Sequence, residues 1–446
     1  MNMSGDTRYY DVRHVTGQTT HIDIDNSVIE SAGTSFFSTA VLRVLGPSGW
    51  GILTIDNYSS PEGKEFDALL ASAASLAHIT TEPVALGDAP HGVLPVPPMK
   101  EDPRDVSLLE KTGVLSEIES SARLPGIVNT RATYIERAEQ VSFIDSSANE
   151  YSYEICRSGF SIMAVASRDG VVQMGYERLH SIHGLNIRHQ QEMGRLAGLR
   201  ALSLLEAKSA AGGQMDVVLD PELAGVFAHE AVGHASEGDL VHEGNSVLAG
   251  KIGERIGSRL ITIVDDPSLH EFGFDPVDAE GVRVGRTKII DQGVVGAYLH
   301  NRETLASVGN GVPGHARASP GEAPLVRMSN TFIEEGDASL DEMLEGVKTG
   351  IILYGSRGGQ VDPGRGVFQF NAEYGFLIEQ GEQKGMVRDV SLSGEILSTL
   401  HSIEMCGKDR KMSQGYCGKG GQSVPVSDGA PYIMLRNAVV GGNGAE

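Results

Sequence analysis

Along most of the chain, apolar and polar residues alternate in short runs, the period-two pattern of strands with one buried face. Helical periodicity shows in only a few windows. Residues 7–57 read as short strands, with Gly46-Pro47-Ser48-Gly49 as a hairpin turn between VLRVL and WGILTI. Ser60-Pro61-Glu62 then opens a helix with Phe66, Leu69, Leu70, Ala73 and Leu76 on one face. A second helix is predicted over 104–122. Residues 126–181 hold five β-rich runs, TRATYIERA, EQVSFID, YSYEICR, FSIMAVAS and VVQMGYERL. Turn signals at Ser146–Asn149 and Asp169-Gly170 mark a β-meander. A long helix with a broad apolar stripe, including Met193, Leu196, Leu199 and Leu202, is predicted over 187–210.

The apolar run Met215–Leu219 predicts a strand leading straight into a helix. Asp220 suits the N-cap, Pro221 the first helical position, and Glu222 complements the helix N-terminus. Leu223, Val226 and Phe227 form its apolar face. Beyond Asp239 the pattern returns to strand and loop. RLITIVDD, GRTKIID, VVGAYLH, GIILYGS, VFQFNAEYGFLIE and ILSTLHSIE read as strands, and 301–308 and Ser339–Lys348 as short helices. The fold class is therefore α+β: an N-terminal α+β region with a β-meander, and a large, mostly antiparallel β domain at the C-terminus that carries the 221–234 helix. The divisions expected are 1–80, a linker over 81–103, 104–212 and 213–446. The linker holds six of the chain's 18 prolines. No regular βαβ alternation supports a Rossmann or barrel enzyme.

Composition narrows the function classes. The chain has 446 residues and a formal net charge of −23, which argues against nucleic-acid and anionic-membrane surfaces. Three cysteines, Cys156, Cys406 and Cys417, do not make a secreted disulfide framework. The N-terminus has no apolar signal core, and no apolar run is long enough to span a membrane, so a cytoplasmic protein is expected.

Chemistry concentrates at 229–239, HEAVGHASEGD. Neutral imidazoles bind zinc well, and a neighbouring carboxylate can take a proton from metal-activated water. His229 and His234, however, are five residues apart. At roughly 100° per residue, a regular helix would splay them by about 140°. They can meet at one metal only if the helix widens as in a π-bulge or ends between them, with Gly233 the least costly place for the distortion. The alternative is a helix with two unrelated histidines.

A catalytic zinc usually takes three protein ligands, so a third is needed. Cys406, Cys417, Glu237, Asp239, His242 and His315 are candidates, and their chemistry alone does not choose among them. Lys419 near Cys417 would favour a thiolate. The acids Asp265, Asp266, Asp275, Asp278 and Glu280 read mostly as turn and solvated residues, one of which could brace a ligand histidine. His180, His183 and His189 read as polar edges and Cys156 as a buried structural thiol. Gly309–Gly314 matches GxGxxG but contains proline and lacks a following helix, so it reads as a glycine-rich loop. Gly355–Gly366 reads as a turn region.

HEAVGHASEGD at 229–239 and GYCGKGGQSVPV at 415–426 resemble the TldD/PmbA family of metallopeptidases, in its TldD-type, motif-bearing form. DAEG at 278–281, PGHARAS at 313–319, RMSNTFIEEGD at 327–337 and GGQVDPGRGVFQF at 358–370 support the match. The resemblance covers the C-terminal half densely and the first 200 residues only in layout. The family's HExxxH motif accounts for the five-residue spacing. The resemblance implies Zn²⁺ held by His229, His234 and Cys417, with Glu230 as general base of a peptidase acting on extended or unfolded peptides. It also implies a dimer, formed in the family's best-known members with a TldE/PmbA-type subunit that lacks the motif. His315 and Arg317 are weak candidates for oxyanion donors. A scaffold subunit with structural zinc, or a zinc hydrolase of non-peptide amides, are the alternative readings.

Overall fold

The computed structural model describes residues 7–442, and every count below refers to these. Strands dominate. In the N-terminal half they form one six-stranded antiparallel sheet in the order β3-β2-β1-β4-β5-β6. These strands are β1 (Tyr9–Asp25), β2 (Val28–Leu45), β3 (Trp50–Asp56), β4 (Ile127–Asp145), β5 (Glu150–Arg168) and β6 (Val171–Ser181). The meander is as the turn signals predict. Asp169 and Gly170 both adopt positive φ at the two-residue β5–β6 turn.

The strands are far longer than expected. The runs TRATYIERA and EQVSFID are one strand, as are YSYEICR and FSIMAVAS. The reason is a switch of buried face within each strand. In β4, even positions from Thr130 to Ala138 are buried, and odd positions from Glu139 onward. In β5 the switch falls between Ile155 and Cys156. Two different layers therefore cover the sheet. Helices α2 (Leu108–Ala122) and α3 (Glu192–Glu206) cover one end, packing Leu115, Ile118 and Ala197 on Tyr134, Phe160 and Ile162. The C-terminal half covers the other, placing Phe272 and Phe274 on Ile155. Helix α1 (Lys64–Ala77) packs Phe66 and Ala73 against Val12 and Leu42. Both α2 and α3 are shorter than predicted. Residues 81–103 run extended, with isolated bridges from His91 to Val282 and from Glu101 to Gly184.

The C-terminal half contains a ten-stranded and a six-stranded sheet. Pairing is mostly antiparallel, with parallel exceptions such as Thr349–Tyr354 beside Gly213–Leu219. ILSTLHSIE is not a strand: it is a helix at Ile396–His401 followed by a strand at Ile403–Cys406. Gly311–Pro313 and Gly359–Asp362, inside the two glycine-rich stretches, form short strands. Ser339 and Glu342 form the capping box of the helix at Leu340–Glu345.

Between the two sheets lies α4 (Pro221–Phe227), entered from the strand Gly213–Leu219. Asp220 caps it by accepting a hydrogen bond from the Leu223 amide at 2.9 Å. Leu223, Phe227 and Val232 are fully buried, among Leu219, Ile263, Val424 and Ile433. Each such side chain contributes roughly 1.5–3 kcal/mol. No helix among the described residues is long and apolar enough to cross a membrane.

Candidate metal centre

Helix α4 does not end at Phe227. It widens into a π-helical turn over Ala228–Gly233 and closes with a 3₁₀ turn at His234–Ser236. The His234 amide donates to the His229 carbonyl, an i+5 bond that stacks the two residues on one side. Their rings sit 5.4 Å apart, nearly perpendicular. The widening resolves the angular problem posed by the five-residue spacing. Gly233 is needed for a reason other than the one expected. Its φ of −56° is ordinary helical backbone. A Cβ there would lie 2.6 Å from Sδ of Met328, which is fully buried.

Cys417 joins the pair from the strand Lys411–Lys419, the outer strand of the six-stranded sheet. One ligand atom each from His229, His234 and Cys417 lie within 4.8 Å of one another. Cys417 Sγ is 3.5 Å from His234 Nε2. Tetrahedral zinc with ordinary Zn–N and Zn–S bonds would hold such a pair roughly 3.6 Å apart. The donor set and its spacing therefore fit one zinc ion. Glu230 projects from the same turn, partly exposed, with Oε2 3.8 Å from His234 Nε2.

Each histidine has a carboxylate at its other ring nitrogen. Glu237 Oε2 lies 3.0 Å from His234 Nδ1. Asp428 Oδ1 lies 2.7 Å from His229 Nδ1, a close ion-pair contact that misses the direction of a hydrogen bond. Carboxylates so placed fix the ring orientation and leave Nε2 for a metal. Burial alone pushes the Cys417 thiol up, but the imidazoles, His229 first, bring it down to about 5. Burial pulls His234 down, yet Glu237 and Cys417 lift it to about 10. His229 is likewise raised, against burial, by Asp428 and Cys417. The site thus gathers negative charge around two imidazoles, the balance that favours a cation among them.

The other candidates lie elsewhere. Cys406 Sγ donates to the Glu334 carbonyl at 3.4 Å. His242 is exposed at the end of a short helix. His315 is buried, with Nε2 3.6 Å from Asp265. Arg317 is tied to Asp275 at 2.6 Å and to the Met328 carbonyl at 2.8 Å. Asp239 and Glu237 are both held by Lys419, whose Nζ lies 2.7 Å and 3.0 Å from them. Lys419 therefore acts on the carboxylate behind His234, and no contact joins it to the Cys417 sulfur. Burial and the charges of His234 and Lys419 oppose each other at Glu237, and its carboxyl is held low.

The acidic stretch is not solvated as expected. Asp265, Asp266, Asp278 and Glu280 are buried. Asp265 accepts from Ser329 and Thr331, and Glu280 pairs with Arg43 of β2 at 3.1 Å. None braces His229 or His234; that place is taken by Asp428, which the sequence reading missed, and by Glu237. Their only sequence signal is position, inside HASEGD and just beyond GQSVPV. His180 is not a polar edge either. It packs between Phe272 and Tyr416, and burial lowers it to about 4. Cys156 is a buried thiol, pushed up to about 12 by burial.

Fold and side chains together define a protein with a largely buried His₂Cys cluster beside a partly exposed carboxylate, where a helix held between β-sheets meets the strand of Cys417. Models of the three PmbA/TldA metallopeptidase domains match residues 10–77, 101–205 and 212–442. The chain belongs to the TldD/PmbA family of metallopeptidases. It is 38% identical to a metalloprotease of Methanothermobacter thermautotrophicus, over 99% of this chain and 97% of that protein. It is 34% identical to the zinc metalloprotease TldD homolog of Saccharolobus solfataricus, over 75% of this chain and 76% of that protein. The crystal structure of TldE from Thermococcus kodakarensis has the same fold, with a TM-score of 0.78 at 19% identity, covering 97% of this chain and 96% of that one.

Proposed function

We propose that this chain is a zinc-dependent peptidase that hydrolyses extended peptides, with His229, His234 and Cys417 as ligands and Glu230 as general base. One observation carries the reading: three ligand atoms within 4.8 Å of one another, with a partly exposed carboxylate 3.8 Å from the nearest ligand nitrogen. A structural zinc site would normally supply four protein ligands.

Bound zinc supplies an electrophile that polarises a carbonyl and acidifies water. Glu230 takes the proton from the attacking water and delivers it to the departing amine. Glu237 and Asp428 hold the histidine rings during this transfer. Among the described residues, the strand Lys411–Lys419 pairs on one side only, with Gln422–Ala430. An extended peptide can add to its other edge through main-chain hydrogen bonds, which bring it past Cys417 and demand little of its side chains. We infer a dimer, formed with a second copy or with a TldE/PmbA-type subunit. The shared fold with TldE supports this pairing of like-shaped chains.

Glu230→Ala tests the assignment. The variant is expected to keep its zinc and lose cleavage of an unstructured peptide by at least about a hundredfold, the scale of general-base catalysis. Full residual cleavage would overturn the role given to Glu230.

A further inference from the structure

A separate cavity of about 330 Å³ opens where the N-terminal sheet meets the C-terminal half. Its floor is one face of β1, β4 and β5. Arg13, Arg137 and Arg157 share that face: Arg13 pairs with Phe143, and Arg137 with Arg157, at positions of the same parity. Its roof includes Arg317 of the PGHARAS stretch, with Tyr416 and Pro425, which pair across the hairpin that carries Cys417. Cys417 pairs with Val424, one position along, so its side chain leaves by the opposite face. The cavity and the metal cluster are therefore on the two sides of one hairpin.

The charges lining the cavity do not cancel. Four arginines face two carboxylates, Glu139 and Asp275, in a chain whose net charge is −23. Asp275 is taken up by Arg157 at 3.0 Å and Arg317 at 2.6 Å. Glu139 has only loose contacts, 3.7 Å to Arg137 and 3.9 Å to Arg157. Arg13 has none. Its Nη1 atom is buried without a hydrogen-bond partner, and among the described residues no carboxylate lies within ion-pair distance of it. Arg13 is only partly buried, but a guanidinium does not lose its proton, so its inward Nη1 and the neighbouring arginines leave positive charge in the cavity that no side chain neutralises. The planar fork of arginine suits a carboxylate, and Ala279, Ala316 and Pro320 give the cavity apolar wall.

We propose that this cavity is a binding site for the carboxylate of a short peptide, with Arg13 and Arg137 as its recognition groups. That the carrier is a peptide rests on the peptidase reading; recognition of a carboxylate does not. The apolar walls accept the residue that bears the carboxylate, and the volume is at the small end of the usual range for ligand sites, roughly 300–1,000 Å³.

Calorimetric titration of the full chain with acetyl-alanyl-phenylalanine, as free acid and as amide, tests this. The acid is expected to fill one site per chain and the amide to bind at least about tenfold more weakly, since only the acid offers the guanidinium a charge. Acetyl-aspartyl-phenylalanine amide moves the carboxylate to a side chain and distinguishes that source from a chain end. Arg13→Gln and Arg137→Gln are each expected to weaken the acid by a similar factor. Arg13→Gln should also melt, without peptide, at or above the wild-type temperature, because it removes an unpaired charge from beside three other arginines. Equal binding of the three peptides, an Arg13→Gln chain that binds the acid as wild type does, or one that melts well below wild type would each overturn the proposal. The titration reads no cleavage and needs no metal, so it can fail while the peptidase reading stands, and the reverse.

Discussion

Replacing Glu237 probes how far the proposed zinc site depends on what stands behind its histidines. Glu237 is fully buried, and its Oε2 lies 3.0 Å from both His234 Nδ1 and Lys419 Nζ. In Glu237→Gln the amide oxygen can still accept from the ring, so the tautomer is kept and only the charge is lost. Lys419 retains Asp239, at 2.7 Å and 2.8 Å from its two oxygens. The substitution therefore isolates the electrostatic part of the contact. Removing a carboxylate behind a metal-bound histidine typically weakens the metal about 10- to 100-fold, or about 1.4–2.7 kcal/mol. Glu237→Gln is expected near the lower figure. Glu237→Ala, which also frees the ring and strands Nδ1 in a buried place, is expected near the upper. Competition against a chelator of known zinc affinity, at one pH and ionic strength, reads both. Zinc affinities within twofold of wild type for both variants would refute the reasoning and place the metal elsewhere than on His234.

Two further outcomes follow from neighbouring residues. Gly233→Ala would drive a Cβ to within 2.6 Å of the buried Met328 side chain, so it is expected to cost about 1–3 kcal/mol in chemical denaturation. Partial recovery with Met328→Ala would show packing to be the cause, and a fully stable single variant would disprove the close fit. Glu222, in the first turn of α4, is pushed up to about 7, by burial first and then by the charges of Asp220 and Glu373. Its folded value lies above its unfolded value of about 4.3, so the penalty for ionising it grows as pH rises between the two and is complete above the folded value. Glu222→Gln is therefore expected to raise the melting temperature relative to wild type at pH 8 more than at pH 5. An equal difference at both would contradict this.

His229, Glu230 and His234 were legible because three reactive residues fall within six positions; helix geometry allowed them one metal only through a widened turn or a helix end, and the structure contains the widened turn. Cys417 and Cys406 were not separable by chemistry, since each precedes Gly-Lys; strand pairing places one beside His234 and the other against Glu334. Asp428 was hidden for the same reason. It reaches His229 only because the strand Gln422–Ala430 packs along α4, where a Cβ on Gly225 would lie 2.9 Å from the Gly429 amide. The fold class followed from alternation, but strand length did not. Where the buried face changes, at Ala138–Glu139 and Ile155–Cys156, the hydrophobic phase slips as it would across a turn. ILSTLHSIE shows the other weakness, since a short apolar run fits helix and strand alike. Burial of Asp265, Asp278 and Glu280 depends on partners as far away as Arg43, which no local pattern reveals.

On the proposed mechanism, one zinc ion sits on His229, His234 and Cys417, and peptide cleavage needs it. Metal content of the purified chain, wild type beside Cys417→Ser, measured together with cleavage of an unstructured peptide, tests it most directly. About one zinc per wild-type chain is expected, lost with cleavage in the variant. Wild-type protein that holds no zinc, or a Cys417→Ser chain that keeps both zinc and cleavage, would contradict it.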